Sequence, residues 1–166
     1  MIIIYFFISS NKMINEWIFR IGDGINFINS SKYKIWGINE KYSKKFLDNV
    51  NVGDHLWFIL NNKDSKIIAV ATYLSHNNRI LDGELINFSY TNKELGWNEE
   101  ANKFNIEIHY INLYDLSEYN LLTYLRGPFT VRKFNIYTCI INLENEYQYI
   151  HKYCKIINKI KNHFYN

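Results

Sequence analysis

The sequence predicts a mixed α+β fold: a small curled β-barrel of about five or six strands, with short helices outside it and a C-terminal helix. Three observations predict it. Apolar, β-forming runs of strand length begin at Trp17, Ile35, His55, Lys66 and Phe104, and the last of these alternates strictly between apolar and polar residues. The stretch Glu144–Tyr165 instead repeats apolar residues at helical spacing. Composition supplies the core, since the 166 residues are 48% hydrophobic and 17% aromatic with a single proline, which excludes a disordered chain.

Residues 2–8 form an apolar run too short to span a bilayer and lacking the basic start of a signal peptide. No membrane partner is expected, and the expected compartment is intracellular, cytoplasmic and reducing. Met1–Lys12 reads equally as an extension upstream of a start at Met13 or as a short extra strand, and residues 13–166 as one domain.

Trp17–Ile21 is the first strand, with Trp17, Phe19 and Ile21 on one face. Gly22-Asp23-Gly24 ends it in a tight turn that reads either as a ligand-facing loop or as a helix start capped by Asp23. A short helix then runs from Ile25 to about Lys32. Lys34-Ile35-Trp36-Gly37-Ile38 places a large π-face beside a glycine, an arrangement that lets a planar ligand or another backbone approach.

Asn39–Asn49 carries Lys41, Lys44 and Lys45 around Tyr42, Phe46 and Leu47, the spacing of a short amphipathic helix or ordered loop. Val52-Gly53-Asp54 is a turn that Asp54 shapes, and His55–Leu60 with Lys66–Leu74 makes the clearest hairpin. His76–Ala101 is polar and irregular. Trp97 stands alone in it, as a lid over the core or as a ligand contact.

Phe104–Tyr110 is a strand with Asn105, Glu107 and His109 expected outward. Tyr114–Leu125 is expected to hold a short helix, broken by Arg126-Gly127-Pro128. Arg126, Arg132 and Lys133 cluster after it, a grouping that suits a phosphate or plain surface charge.

Chemistry is sparse. Neither GxSxG nor HExxH nor a Walker loop occurs, the five histidines are scattered, and Cys139 and Cys154 lack metal-ligand or disulfide-framework spacing. No catalytic residue, metal or cofactor is therefore assigned. The net charge of +3 allows a phosphate-bearing partner without demanding one.

Trp17-Ile18-Phe19, Ile35-Trp36-Gly37-Ile38, Val52-Gly53-Asp54 and Lys66–Val70, in that order over Trp17–Lys133, resemble the EVE domain of the PUA-like superfamily. The same places are similar to YTH domains, which hold methylated adenine of RNA in an aromatic cage. The resemblance implies a DNA- or RNA-binding reader of a modified base, methylated adenine or modified cytosine. It implies a base pocket of Arg20, Gly22, Asp23, Trp36, Gly37, Ile38 and Trp97, with Trp36 and Trp97 as walls. It implies phosphate contacts from Arg126, Thr130, Arg132 and Lys133. The family proline two residues after the Trp-Gly glycine is Asn39 here. The rival readings are an enzyme acting on nucleic acid through the same pocket and a protein-interaction domain.

Overall fold

The computed structural model describes residues 13–62, 65–78, 90–98, 104–126, 140–142 and 146–165. The expectations for Met1–Lys12, Thr130, Arg132, Lys133 and Cys139, and for the side chains of Tyr147, Ile150, Lys152 and Cys154, lie outside the described residues.

The described elements run β1 (Glu16–Arg20), α1 (Ile25–Ser31), β2 (Ile35–Asn39), α2 (Glu40–Asn49), β3 (His55–Ile59), β4 (Lys66–Asn78), α3 (Asn92–Leu95), β5 (Phe104–Asp115), β6 (Leu121–Thr123), β7 (Ile140–Asn142) and α4 (Glu146–Tyr165). One mixed sheet takes the order β1-β3-β4-β5-β2, with β6 added beside β4 and β7 beside β6. This is the α+β architecture that the hydrophobic pattern predicts. β1 and β3 are parallel, Trp17 opposite Leu56 and Phe19 opposite Phe58, because α1, β2 and α2 form the crossover between them.

The sheet curls at irregularities. Register shifts fall in β3 at Phe58/Ile59, in β4 at Val70/Thr72 and Tyr73/Ser75, and in β2 at Ile38/Asn39. An extra residue on one strand bends it and increases local twist. The strands at the two ends of the order, β1 and β2, consequently flank one opening.

Alternation along β1 and β3 sorts their side chains into two cores. Trp17, Phe19, Leu56 and Phe58 join the aromatic core that receives Phe27 of α1, Phe46 of α2 and Leu95 of α3. Ile18, Trp57 and Ile59 point the other way and meet Ile156, Ile157 and Ile160 of α4.

Local sequence explains the helix starts. Asn39 caps α2, its side chain accepting from the Lys41 N–H at 3.1 Å, so the residue standing in place of the family proline begins this helix. Thr91 and Glu94 cap α3 reciprocally. Gly24, at φ 91°, is the residue that caps α1, and Asp23 just before it accepts the Ile25 N–H at 3.0 Å. On α1 the buried side chains are Phe27 and Ser30, while Ile25 and Ile28 are exposed.

Two segments differ from expectation. Tyr114–Leu125 is not helical: β5 continues to Asp115, a turn follows, and Leu121–Thr123 pairs with β4 and β7. Sheet partners override local helix propensity there, with Tyr114 opposite Val70 and Leu122 opposite Lys66. Glu107, expected outward, is fully buried at a central strand position, between Gly37 of β2 and Asn77 of β4. Its Oε1 lies 2.6 Å from His109 Nε2, and His109 keeps 26% of its side-chain surface.

Candidate functional site

A cavity of about 910 Å³ opens where the edges of β1 and β2 face each other. Its volume is toward the upper end for ligand sites, which span roughly 300–1,000 Å³. Aromatic rings from distant segments line it: Trp17 and Phe19 of β1, Trp36 of β2, Tyr42 and Phe46 of α2, and Phe104 of β5.

Strand alternation aims backbone groups at this opening. The Tyr110 N–H donates to the Lys34 carbonyl at 3.1 Å, which makes Lys34 and Tyr110 a hydrogen-bonded pair. By alternation Trp36 faces Ile108 in the same way, and Gly37 turns its N–H and C=O away from β5 toward the open edge. Gly37 is required by packing: a Cβ there would lie 2.0 Å from Cδ2 of Phe104. The space beside Trp36 thus belongs to a protein ring on that side.

The predicted site residues separate clearly. Arg20, Gly22, Asp23, Trp36, Gly37 and Ile38 all line the cavity, and Arg126 joins them from the segment after β6. Trp97 does not line it. Its ring stands edge-on behind Trp36, centroids 6.0 Å apart at 78°, and its Nε1 donates to the Asn26 carbonyl at 3.0 Å. Trp36 itself is 5% exposed, held by Phe27, Trp97 and Phe104. Thr130, Arg132 and Lys133 are outside the described residues.

Sequence reading missed the amide rim. Asn26, Asn39, Asn61, Asn62 and Asn98 line the cavity from α1, the start of α2, the β3–β4 turn and the segment after α3. Asn26 and Asn98 join each other at the rim, Asn26 Nδ2 donating to Asn98 Oδ1 at 3.2 Å and the Asn98 N–H to Asn26 Oδ1 at 3.3 Å. Nothing in composition marks these five among the chain's many asparagines. Only the turn position of Asn61-Asn62, beside the clearest hairpin, offered a signal.

Charge at the mouth is mainly positive. Among the described lining residues, Asp23 is the one acid against Arg20, Lys45 and Arg126. Arg20 donates to the Leu60 carbonyl at 2.9 Å and to the Leu125 carbonyl, tying β3 to the segment after β6. Arg126 donates to the Ser65 hydroxyl. Burial first, and then the neighbouring Arg126 guanidinium, push the Arg20 pKa below its usual value. Two cations that repel at one corner favour an anion placed beside them.

Asp54, 1% exposed, is structural. It accepts from the Asn15 N–H at 3.1 Å, the Asn51 N–H at 2.9 Å and Trp17 Nε1 at 3.0 Å, thereby fixing a cavity ring. Among the described residues no cluster of histidine, cysteine and carboxylate groups suits a metal ion, and no helix is long and apolar enough to cross a membrane.

No family model matches the chain, and no curated protein matches it. Among solved structures it is similar to a YTH domain-containing protein mmi1 and RNA complex, at 14% identity and a TM-score of 0.40. The similarity covers 61% of this chain and 57% of that one, so it spans less than two thirds of either.

Proposed function

We propose that this chain is a nucleic-acid reader of the EVE type, holding one base of DNA or RNA in the cavity between β1 and β2 without catalysing a reaction on it. One observation carries the reading: the cavity combines aromatic walls, an amide and backbone rim, and a cationic corner within a single opening. Each part answers one demand of an unstacked nucleotide. Rings replace base stacking, worth roughly 1–3 kcal/mol per base. The asparagine amides and the outward-facing Gly37 backbone offer donors and acceptors to a base edge. Arg20 and Arg126 offer charge to the adjoining phosphate.

The apolar walls also favour a base carrying an added methyl group, because a buried CH₂-sized group is worth about 0.8 kcal/mol. Methylated adenine and modified cytosine are therefore the ligands to test first. The experiment is a tryptophan-fluorescence titration with single-stranded and duplex oligonucleotides, each with and without those modifications. The expected result is quenching that depends on the modification and weakens in Trp36→Phe, which keeps an aromatic ring in the core while thinning the wall. Absence of quenching by every oligonucleotide, from a folded protein, would overturn the reading.

A further inference from the structure

The net positive charge of this chain is matched by that of a single helix outside the cavity lining. The helix α4, Glu146–Tyr165, contains four lysines against one glutamate, which equals the whole chain's net charge of +3 and leaves the remaining residues balanced. The last of its acids is Glu146 itself, so the run from Tyr147 to Tyr165 has lysines and histidines and no carboxylate. A single helix carrying all the excess charge is an electrostatic footprint.

Shape accompanies the charge. Ile156, Ile157 and Ile160 hold the helix onto the second core, and the residues beside them are left outward. Lys155 and Lys159, one turn apart and both exposed, border a groove of about 360 Å³. Ile156 lies at its base, Tyr119 supplies an aromatic wall from the turn before β6, and Asn158 and Asn162 add amides. Glu118, although adjacent to Tyr119, does not line it. A cationic groove with an aromatic ring and amide donors is the composition that tracks a nucleic-acid backbone.

We infer that the α4 groove is a second contact surface for the nucleic-acid strand whose base occupies the cavity, engaging phosphates through Lys155 and Lys159. This rests on the proposed reader function. The two surfaces belong to opposite faces of the sheet, since the cavity adjoins the core of Trp17 and Phe19 and α4 covers that of Ile18 and Trp57. A strand touching both must pass around the sheet edge, so short oligonucleotides engage one surface and longer ones engage both.

The test is the salt dependence of binding to a single-stranded oligonucleotide of about sixteen nucleotides, the upper end of single-domain site sizes. Each lysine–phosphate contact contributes about 0.7 to the slope of log K against log salt for single strands. Lys155→Gln with Lys159→Gln is expected to lower that slope by about 1.4. The paired Lys→Arg variant is expected to retain it. An unchanged slope in the glutamine variant, with the wild type binding, would overturn this inference and leave the cavity reading intact. A wild type that binds no oligonucleotide would overturn both.

Discussion

Trp97 stands edge-on to Trp36, and Phe104 completes the group at 5.3 Å from Trp97 and 5.8 Å from Trp36, centroid to centroid. The ring that lines the cavity is thus set by two rings behind it. Edge-to-face geometry adds about 0.5–1.5 kcal/mol beyond area burial for each such pair. Trp97→Ala removes a side chain only 7% exposed and strips α1 of the donor on the Asn26 carbonyl. The expected loss is about 3–5 kcal/mol, measured by urea unfolding. Trp97→Phe is expected to lose less, and its ligand affinity to fall because Trp36 gains freedom.

Gly37 and Phe104 give a second prediction. A Cβ on Gly37 would meet three atoms of the Phe104 ring at 2.0–2.7 Å, and that ring is itself packed against Trp36 and Trp97. Gly37→Ala is therefore expected to cost about 1–3 kcal/mol through overpacking. Phe104→Leu in the same chain is expected to recover part of that cost. A non-additive double-mutant cycle in chemical denaturation checks the coupling; additive costs would mean that the ring moves aside freely.

These two residues also mark how far the sequence could be read. Trp36-Gly37 stood out locally, and β1, the β3–β4 hairpin, the helix α4 and the inward position of its Ile157 and Ile160 followed from period and turn chemistry alone. What Gly37 accommodates was not legible, because Phe104 reaches it only after β2 pairs with β5 across about seventy residues. The helix expected over Tyr114–Leu125 failed for the same reason, since pairing of β5 with β4 decides that segment. The cavity joins two strand edges and a hairpin turn, so its rim of asparagines has no contiguous signature.

A pH dependence follows from Tyr73 and His76, whose Oη and Nδ1 lie 2.6 Å apart. Burial, and then the nearby His109, lower the His76 pKa below its usual value of 6.5. The unfolded chain therefore takes up this proton first as the pH falls. Stability from His76 is present above about pH 6.5 and is lost as the pH falls through the lowered folded-state value. Tyr73 acts at the other end, its hydroxyl pushed up by burial to about 12 from 10.0. Its contribution is present below pH 10 and is lost as the pH rises toward 12. Urea midpoints across pH are expected to show both declines, with His76→Gln flattening the acid side and Tyr73→Phe the alkaline side.

Asp54 and Trp17 connect the buried polar network to the cavity. The carboxylate is the shared acceptor for Trp17 Nε1 and the backbone N–H groups of Asn15 and Asn51. Asp54→Ala leaves several buried donors without it, at about 1–3 kcal/mol for a stranded group. Asp54→Asn keeps the size and one acceptor and is expected to cost less. Unfolding measurements give the order, and altered tryptophan emission in both variants would report the loosened Trp17 ring.

Arg126 and Arg20 share the cationic corner but are built into the fold unequally. Arg20 holds two backbone carbonyls, of Leu60 and Leu125, whereas Arg126 holds the Ser65 hydroxyl. Arg20→Gln is accordingly expected to lower stability as well as binding. Arg126→Gln is expected to weaken oligonucleotide binding while changing stability less, since it also removes a repulsion on Arg20. If Arg126 meets one phosphate, its loss lowers the salt slope for a single strand by about 0.7. Titrations at several salt concentrations, paired with urea unfolding of each variant, separate the two roles. Equal slopes for wild type and Arg126→Gln would remove Arg126 from the phosphate contacts and leave the aromatic walls and amide rim as the recognition surface.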